Sequence, residues 1–243
     1  MRDEAPRLID RSRFFELLNQ QLTIEPGRTA MVTIDCHRGH LDAEVATMPV
    51  APEAGREVVA NVKRLLDFGR AQGVPVVHVI LQNRVLPDGT SEPMRNPFWE
   101  AVESVNEMLT PERKSTIKGH NLVGSVQTQL MPELGPAPSD IVINTKRRLS
   151  IFRDTDLDLT LQMLGVNTLV LVGINTNTCV QCAAFESLNR DLKTIVISDC
   201  VHSMYGDDLH FFGLQNVARC LGWVLTSDEV MRKLEARSAA HFS

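Results

Sequence analysis

The sequence predicts a doubly wound α/β fold, in which a mostly parallel six-stranded sheet carries helices on both faces. Short runs rich in Val, Ile and Leu alternate along the chain with segments whose apolar residues recur at helical spacing. The apolar runs are nearly continuous, which is typical of parallel strands buried on both faces. Right-handed crossovers through the intervening helices then give a three-layer, Rossmann-like sandwich.

From the N-terminus, the stretch RSRFFELLNQQL places Phe14, Leu17 and Leu18 at helical spacing, and EPGR then breaks the pattern. We therefore expect an N-terminal arm over residues 1–27 and one main domain over residues 28–243. The arm, together with an apolar helix near the C-terminus, suggests self-association as a homodimer or homotetramer.

The elements that follow alternate as the fold class requires. TAMVTIDC (29–36) and VPVVHVIL (74–81) are predicted strands, and the residues between them at 52–73 have the i, i+3, i+4 pattern of a helix closed by Gly. Residues 82–139 are the exception because they are rich in Pro, Gly and charge. They are predicted to hold one helix, 97–109, within long loops of the kind that form lids over sites.

The rest of the chain returns to regular alternation. Further strands are predicted at 140–145, 167–174, 193–198 and 223–227. Helical spacing predicts helices at 155–165, 178–192 and 207–222.

Charge and cysteine content favour a small-molecule partner. The 243 residues include 25 Lys and Arg against 30 Asp and Glu, a net charge of -5. With no basic stripe, neither nucleic acid nor an anionic membrane is an expected partner. The 5 cysteines, an odd number in or beside apolar runs, suit a reducing compartment. Since neither a signal peptide nor a membrane span is visible, we expect a cytoplasmic protein.

Three chemically distinct side chains follow strands of the predicted sheet. Asp35 ends the first strand, Lys146 follows the strand at 140–145, and Cys179 follows the strand at 167–174. In an open parallel sheet, ligands bind beyond the carboxyl ends of the strands, where the strand order reverses. We therefore expect these side chains to share one site.

Their chemistry suits nucleophilic attack on a carbonyl carbon. A thiol attacks as its thiolate, and a helix N-terminus with a neighbouring ammonium, here Lys146, lowers the pKa of a thiol. Asp35 is the candidate base that takes the proton and returns it to the leaving group. The residues before Cys179 suit an irregular turn, so the N–H groups of Asn175 and Cys179 are the candidate oxyanion donors.

The stretch GINTNTCVQC (173–182) contains a second thiol, Cys182, three residues after Cys179. A redox pair, half of a metal site, or one nucleophile with a bystander would each give this spacing. Cys179 lies at the first turn of the predicted helix, where the dipole stabilises a thiolate, and Cys182 lies one turn further. This favours Cys179 as the nucleophile, with a thiol–disulfide protein as the alternative from another class.

Taken together, an Asp after the first strand, then K-R-R-x-S-x-F-x-x-T-D-L, then G-I-N-T-N-T-C-V, resembles the isochorismatase-like cysteine hydrolase family. That family includes nicotinamidases, N-carbamoylsarcosine amidase, ureidoacrylate and biuret amidohydrolases, and isochorismatase. The resemblance implies a catalytic triad of Asp35, Lys146 and Cys179 that cleaves a carboxamide or ureide through an acyl-enzyme. It also implies a cis peptide between Ile174 and Asn175. Vinyl ether hydrolysis of the isochorismatase type is the alternative activity.

Other residues near these motifs are candidates for substrate binding. The set comprises His37, Arg38, Phe152, Asn175 and Thr178. Arg147 and Arg148 suit a solvated basic loop, with binding of a substrate anion as the alternative, and His120 belongs to a loop that can reach the site.

No metal or other cofactor is expected. His37 and His40 have H-x-x-H spacing, but a loop after a strand rarely keeps the geometry of a metal site. Metal-dependent nicotinamidases carry further histidines after the first crossover helix, whereas residues 82–119 contain none. The partner that remains is a small amide or ureide. A catalytically silent scaffold also remains open, because fold alone proves no function.

Overall fold

The computed structural model describes residues 7–112 and 116–241, with the backbone alone for residues 237–241. Residues 1–6 of the predicted arm therefore lie outside the described residues. The described strands are β1 (Thr29–Ile34), β2 (Val76–Leu81), β3 (Ile141–Lys146), β4 (Thr168–Ile174), β5 (Lys193–His202) and β6 (Trp223–Leu225). They form one sheet in the order β3-β2-β1-β4-β5-β6, and every neighbouring pair is parallel. The doubly wound α/β prediction is confirmed.

Helices connect these strands. In the described part of the chain they are α1 (Ser12–Gln21), α2 (Arg38–Leu41), α3 (Pro52–Ala71), α4 (Pro97–Leu109), α5 (Leu157–Met163), α6 (Gln181–Leu188), α7 (Asp207–Cys220) and α8 (Ser227–His241). The predicted helix 97–109 is confirmed as α4. The segment around α4 also contains short 3-10 turns that the sequence did not predict, at Glu92–Arg95, Ile117–Gly119, Val126–Thr128 and Pro132–Leu134. No helix among the described residues is long and apolar enough to cross a membrane.

Two hydrophobic clusters cover the two faces of the sheet. Because successive strand residues point to opposite faces, Val170 and Val172 of β4 enter the cluster beneath α3 and α8, whereas Leu169 and Leu171 enter the cluster beneath α5, α6 and α7. All six residues of β1 and all seven of β4 are buried. Burial on both faces explains why these strands are apolar runs rather than alternating sequences.

The strand order places a binding edge between β1 and β4, where successive strands diverge to opposite sides of the sheet. The described residues of the segment 82–139 lie across this edge. An isolated bridge between His37 and Leu130 ties the segment to it, and a second bridge, between Asn83 and Leu122, joins two parts of the segment itself. The long insertion therefore covers the ends of the strands from which Asp35 and Cys179 follow.

The N-terminal helix α1 makes polar contacts with the C-terminal elements. The Trp223 indole N–H donates to Leu18 O at 3.2 Å, and Lys233 Nζ donates to Asn19 O at 2.8 Å. The side chains of Leu22 and Ile24, within the segment predicted as the arm, are buried in the core.

Candidate active site

Asp35, Lys146 and Cys179 meet at the carboxyl edge of the sheet. Lys146 Nζ lies 2.5 Å from Asp35 Oδ2 and 3.3 Å from Cys179 Sγ. Asp35 and Lys146 are fully buried, and Cys179 is 4 % exposed. The structure thus brings together the three side chains that the sequence placed at strand ends.

Asp35 is held by the neighbouring strand β2. Its backbone N–H donates to Val79 O at 2.9 Å, and its Oδ1 accepts from the Leu81 N–H at 2.7 Å. Its φ of 55° is in the left-handed region, which Asp tolerates better than most residues. Because β2 occupies Oδ1, the other carboxylate oxygen is the one that meets Lys146.

Gly173 lets β4 run close to the end of β1. Its φ is 121°, and a Cβ at this position would lie 2.0 Å from Ile34 O. A side chain would therefore force apart the two strands that lead to Asp35 and Cys179.

Lys146 is a charged group in a fully buried position. Burial lowers its pKa, but the opposing effect of Asp35 and Cys179 is larger, so the net pKa lies above the ordinary lysine value. At neutral pH the site therefore contains an ammonium. Because a buried ion pair loses its hydration, its presence is weak evidence for stability and points instead to function.

Cys179 is a neutral thiol in this environment. Burial raises its pKa to about 12, a hydrogen bond to Asp35 raises it as well, and Lys146 only partly opposes these effects. Lys146 does lower the pKa of Cys179, as the sequence led us to expect, but burial and Asp35 outweigh it, so the net pKa is raised rather than lowered. The residue also lies not in a regular helix but in a single π turn, Thr176–Val180, that precedes α6.

Asn175 shapes the turn that carries the thiol. The Ile174–Asn175 peptide bond is cis, the form that the family resemblance implies. Asn175 O accepts from the N–H groups of Thr178 and Val180, both at 3.1 Å, and Asn175 Oδ1 accepts from the Met204 N–H at 2.9 Å. Those two N–H groups on either side of Cys179 are thereby already bonded.

Cys179 opens into a cavity of about 710 Å³. The strand ends and the residues after them contribute Leu81, Arg147, Arg148, Leu149, Ser150, Arg153, Asn175, Asn177, Thr178 and Cys179. The insertion contributes Asn83, Pro93, Asn96, Phe98, Trp99, Val102, Ile117 and His120. The remaining lining residues are His40, Met48, Met204, Tyr205 and Leu209.

Two of the five predicted substrate-binding residues, Asn175 and Thr178, line this cavity. The other three predicted residues, His37, Arg38 and Phe152, do not line it. His37 is fully buried behind Asp35, with its Nε2 4.0 Å from Asp35 Oδ1. The Arg38 guanidinium pairs instead with Asp42 at 2.7 Å.

Phe152 is the third predicted residue that lies away from the cavity. It is 3 % exposed and packs in the hydrophobic cluster with β1 and β4. The guanidinium of Arg190 covers its ring at 4.0 Å from the centroid. Core packing, not substrate contact, accounts for its position.

His40 lines the cavity, although the sequence marked it only by an H-x-x-H spacing that was not expected to hold a metal. Its Nδ1 lies 3.1 Å from Met48 O, and a carbonyl can only accept, so Nδ1 carries the proton. Burial lowers the pKa of His40, which favours the neutral ring. Its Nε2 is therefore a hydrogen-bond acceptor.

Asn121 links the two other histidines of this region. Its amide nitrogen lies 3.4 Å from His37 Nε2 and 3.1 Å from His120 Nε2. Burial lowers the pKa of both rings well below the ordinary histidine value, so each Nε2 accepts from the amide. His120 also lines the cavity, in agreement with the expectation that its loop can reach the site.

The described residues offer no group of three or more His, Cys, Asp or Glu side chains suited to hold a metal ion. The cavity charge instead comes from arginines. Arg147, Arg148 and Arg153 line it, and no Asp or Glu is among its described lining residues. The Arg147 guanidinium donates to Gln82 O at 2.8 Å.

Cys182 lies apart from the cavity in the first turn of α6. It is half-buried, and burial raises the pKa of its thiol. Both Cys179 and Cys182 are free thiols in the structure.

Comparison with known proteins agrees with this architecture. A family model described as "Isochorismatase domain" matches residues 29–229. A protein named ureidoacrylate amidohydrolase RutB from Methylobacterium radiotolerans is 30 % identical, with 84 % of this chain and 79 % of that protein covered. The RutB of Rhizobium rhizogenes is 27 % identical over 93 % of this chain and 91 % of its own.

Solved structures share the fold. A cysteine hydrolase from Pseudomonas syringae pv. phaseolicola 1448A has a TM-score of 0.72 at 22 % identity, over 89 % of this chain and 96 % of that one. N-carbamoylsarcosine amidase from Thermoplasma acidophilum has a TM-score of 0.60 at 23 % identity, over 83 % of this chain and 97 % of that one.

Proposed function

Because the chain belongs to the isochorismatase domain family, we propose that it is a cysteine-dependent amidohydrolase that cleaves a small carboxamide or N-carbamoyl compound and releases ammonia. The observation that carries the proposal is the contact of Lys146 Nζ with both Asp35 and Cys179 at the inner end of a cavity. The relatives named ureidoacrylate amidohydrolase support a C–N bond as the target.

In the first half of the reaction, Cys179 Sγ attacks the carbonyl carbon while its proton passes to Asp35. The carbonyl π electrons move to oxygen, and the N–H groups of Asn175 and Cys179 donate to that oxyanion. When the oxyanion collapses, the C–N bond breaks and Asp35 returns the proton to the departing nitrogen. Ammonia leaves, and the acyl group remains on sulfur as a thioester.

In the second half, water attacks the thioester while Asp35 accepts its proton. Collapse of the second oxyanion breaks the C–S bond, and the proton passes from Asp35 to sulfur, which restores the thiol. The product is an acid, or for an N-carbamoyl substrate a carbamic acid that loses carbon dioxide. Lys146 stays an ammonium throughout and balances the negative charge, whether it rests on Asp35 or on Cys179.

The cavity wall suggests how the substrate is oriented. His40 Nε2, an acceptor by virtue of the Nδ1 bond to Met48, suits the N–H of a carboxamide or ureide. Arg147 and Arg148 suit a carboxylate on the same molecule, since no described lining residue is acidic. An anionic ureide satisfies both features.

Four matched variants test the triad. In Cys179→Ser, Asp35→Asn and Lys146→Met, we expect the kcat of ammonia release from ureidoacrylate or an N-carbamoyl amino acid to fall by about 10³ or more. Cys182→Ser should keep near-normal kcat, because Cys182 does not line the cavity. Circular dichroism would check that each variant folds, and mass spectrometry of the quenched reaction should place the acyl group on Cys179.

Two outcomes would contradict this proposal. Turnover that survives Cys179→Ser would favour vinyl ether hydrolysis without a thioester. Equal loss in Cys182→Ser, with a disulfide between the two cysteines during turnover, would favour the redox alternative.

A further inference from the structure

The cavity has an apolar region beyond the reacting groups. Phe98, Trp99 and Val102 line it from α4, Leu149 lines it from the loop after β3, and Leu209 lines it from α7. These side chains come from three separate segments. They nevertheless belong to the same cavity as Cys179.

The cavity is much larger than a small ureide. A carbamoylated acid of ureidoacrylate size occupies roughly 150 Å³, about five times the ~30 Å³ that one water takes in the liquid. The cavity measures about 710 Å³. Such a ligand would leave most of the apolar wall in contact with water, which is unfavourable.

The solvent exposure of these apolar side chains also indicates that a small ureide alone does not fill the cavity. The side chain of Phe98 is 68 % exposed and that of Leu149 is 47 % exposed. Large apolar groups that converge on a cavity and remain exposed are typical of a binding surface for apolar matter. Continuity with Cys179 makes the occupant part of the molecule that reacts there.

We propose that the substrate carries an apolar substituent at least as large as a phenyl ring, beside its amide or ureide group. This inference rests on the proposed amidohydrolase function. The apolar group lies against Phe98 and Leu149, and the reacting carbonyl lies at Cys179. The substrate class is therefore an aryl or alkyl derivative of a carboxamide or N-carbamoyl acid.

Two matched substrate pairs test the inference with the full-length protein. The pairs are N-carbamoylglycine with N-carbamoyl-L-phenylalanine, and acetamide with 3-phenylpropanamide. In the pair that reacts, kcat/KM for the phenyl member should exceed that of the small member at least tenfold, because the ring leaves water on binding. Calorimetric binding of the same compounds to Cys179→Ser should show the same preference.

Alanine variants test whether the apolar residues of the cavity cause the preference for phenyl substrates. Phe98→Ala and Leu149→Ala should each lower kcat/KM for the phenyl substrate about three- to tenfold more than they lower kcat/KM for the small substrate. Leu159→Ala is the matched control, since Leu159 is an exposed leucine, 58 %, that does not line the cavity. It should change neither value.

The failures of the two proposals are distinguishable. If small and phenyl substrates react equally well and both wall variants behave like Leu159→Ala, this inference is wrong while the amidohydrolase proposal stands. If no compound releases ammonia and none binds to Cys179→Ser, both are wrong.

Discussion

The protonation state of Cys179 governs the chemistry that we propose. Lys146 lowers the pKa of this thiol, whereas burial and Asp35 raise it. The combined effect of burial and Asp35 is the larger. A resting thiol protects the nucleophile from oxidation and from unselective reaction. Attack must then coincide with proton transfer to Asp35, so the carboxylate matters in the first step of the reaction.

Alkylation of the free protein by iodoacetamide measures this protonation state. Because the pKa of Cys179 is raised to about 12, its alkylation rate should rise about tenfold per pH unit from pH 7 to pH 10. Peptide mass spectrometry separates Cys179 from the other thiols. Free cysteine in the same buffers should level off above about pH 8.5. A plateau for Cys179 below pH 8 would mean a thiolate in the resting protein.

At the scale of single elements, the junction of β1 and β4 sets the position of the site. Gly173 is the residue that allows the close approach, because both its φ and the nearby Ile34 carbonyl exclude a side chain. The residues on either side of this junction lead directly to Asp35 and to the turn of Cys179. A small change here should therefore affect both stability and activity.

Substitution of Gly173 by Ala tests the junction. We expect Gly173→Ala to lower the free energy of unfolding by about 3 kcal/mol or more, since the backbone must move and the conformation is strained. Gly27→Ala is the control, because no atom lies within 4 Å of the added Cβ. Its effect should stay within about 0.5 kcal/mol in urea unfolding. Equal midpoints for the two variants would contradict the close approach.

The elements also show how far sequence patterns reach. The strand ends and the helix at 97–109 were predictable from the sequence. Apolar periodicity marks such elements, and a Gly or Pro that interrupts the pattern marks their ends. The π turn at Cys179 and the 3-10 turns of the insertion were not, because their hydrogen bonds depend on contacts that form only in the folded protein. The location of Phe152 in the core is likewise set by long-range packing, whereas His120 lies in the cavity as the position of its loop suggested.

At the scale of the whole molecule, the triad depends on the complete sheet. Lys146 and Asp35 are 111 residues apart along the chain, and Lys146 and Cys179 are 33 apart. The rule that ligands bind beyond parallel strand ends predicted their meeting, because that rule follows from topology. The pKa of Cys179 could not be predicted in this way, because it depends on how completely the packed side chains around the thiol exclude water.

The free energy of unfolding at alkaline pH should depend on the ionisation of the buried thiols. Burial raises the pKa of Cys36, Cys179 and Cys200 above the value of an unfolded chain. Above about pH 9 the unfolded chain loses these protons while the folded protein keeps them, so the free energy of unfolding should fall with rising pH. Each thiol contributes up to about 1.4 kcal/mol per pH unit. Below about pH 8 both states are protonated, and the thiols add no slope.

Cys200→Ala provides the comparison for that measurement. Urea unfolding between pH 9 and pH 10.5, with reductant present, should give a slope shallower by up to about 1.4 kcal/mol per pH unit than that of the parent protein. Identical slopes would show that the Cys200 thiol ionises as readily in the folded protein as in the unfolded chain.

The insertion between β2 and β3 supplies much of the cavity wall, while the triad comes from the ends of β1, β3 and β4. In evolutionary terms, the reacting groups and this part of the cavity wall lie on separate segments of the chain. Mutation of residues 82–139 can reshape the wall without displacing Asp35, Lys146 or Cys179. We therefore expect substitutions in that segment to alter substrate preference while the chemistry at the triad is kept.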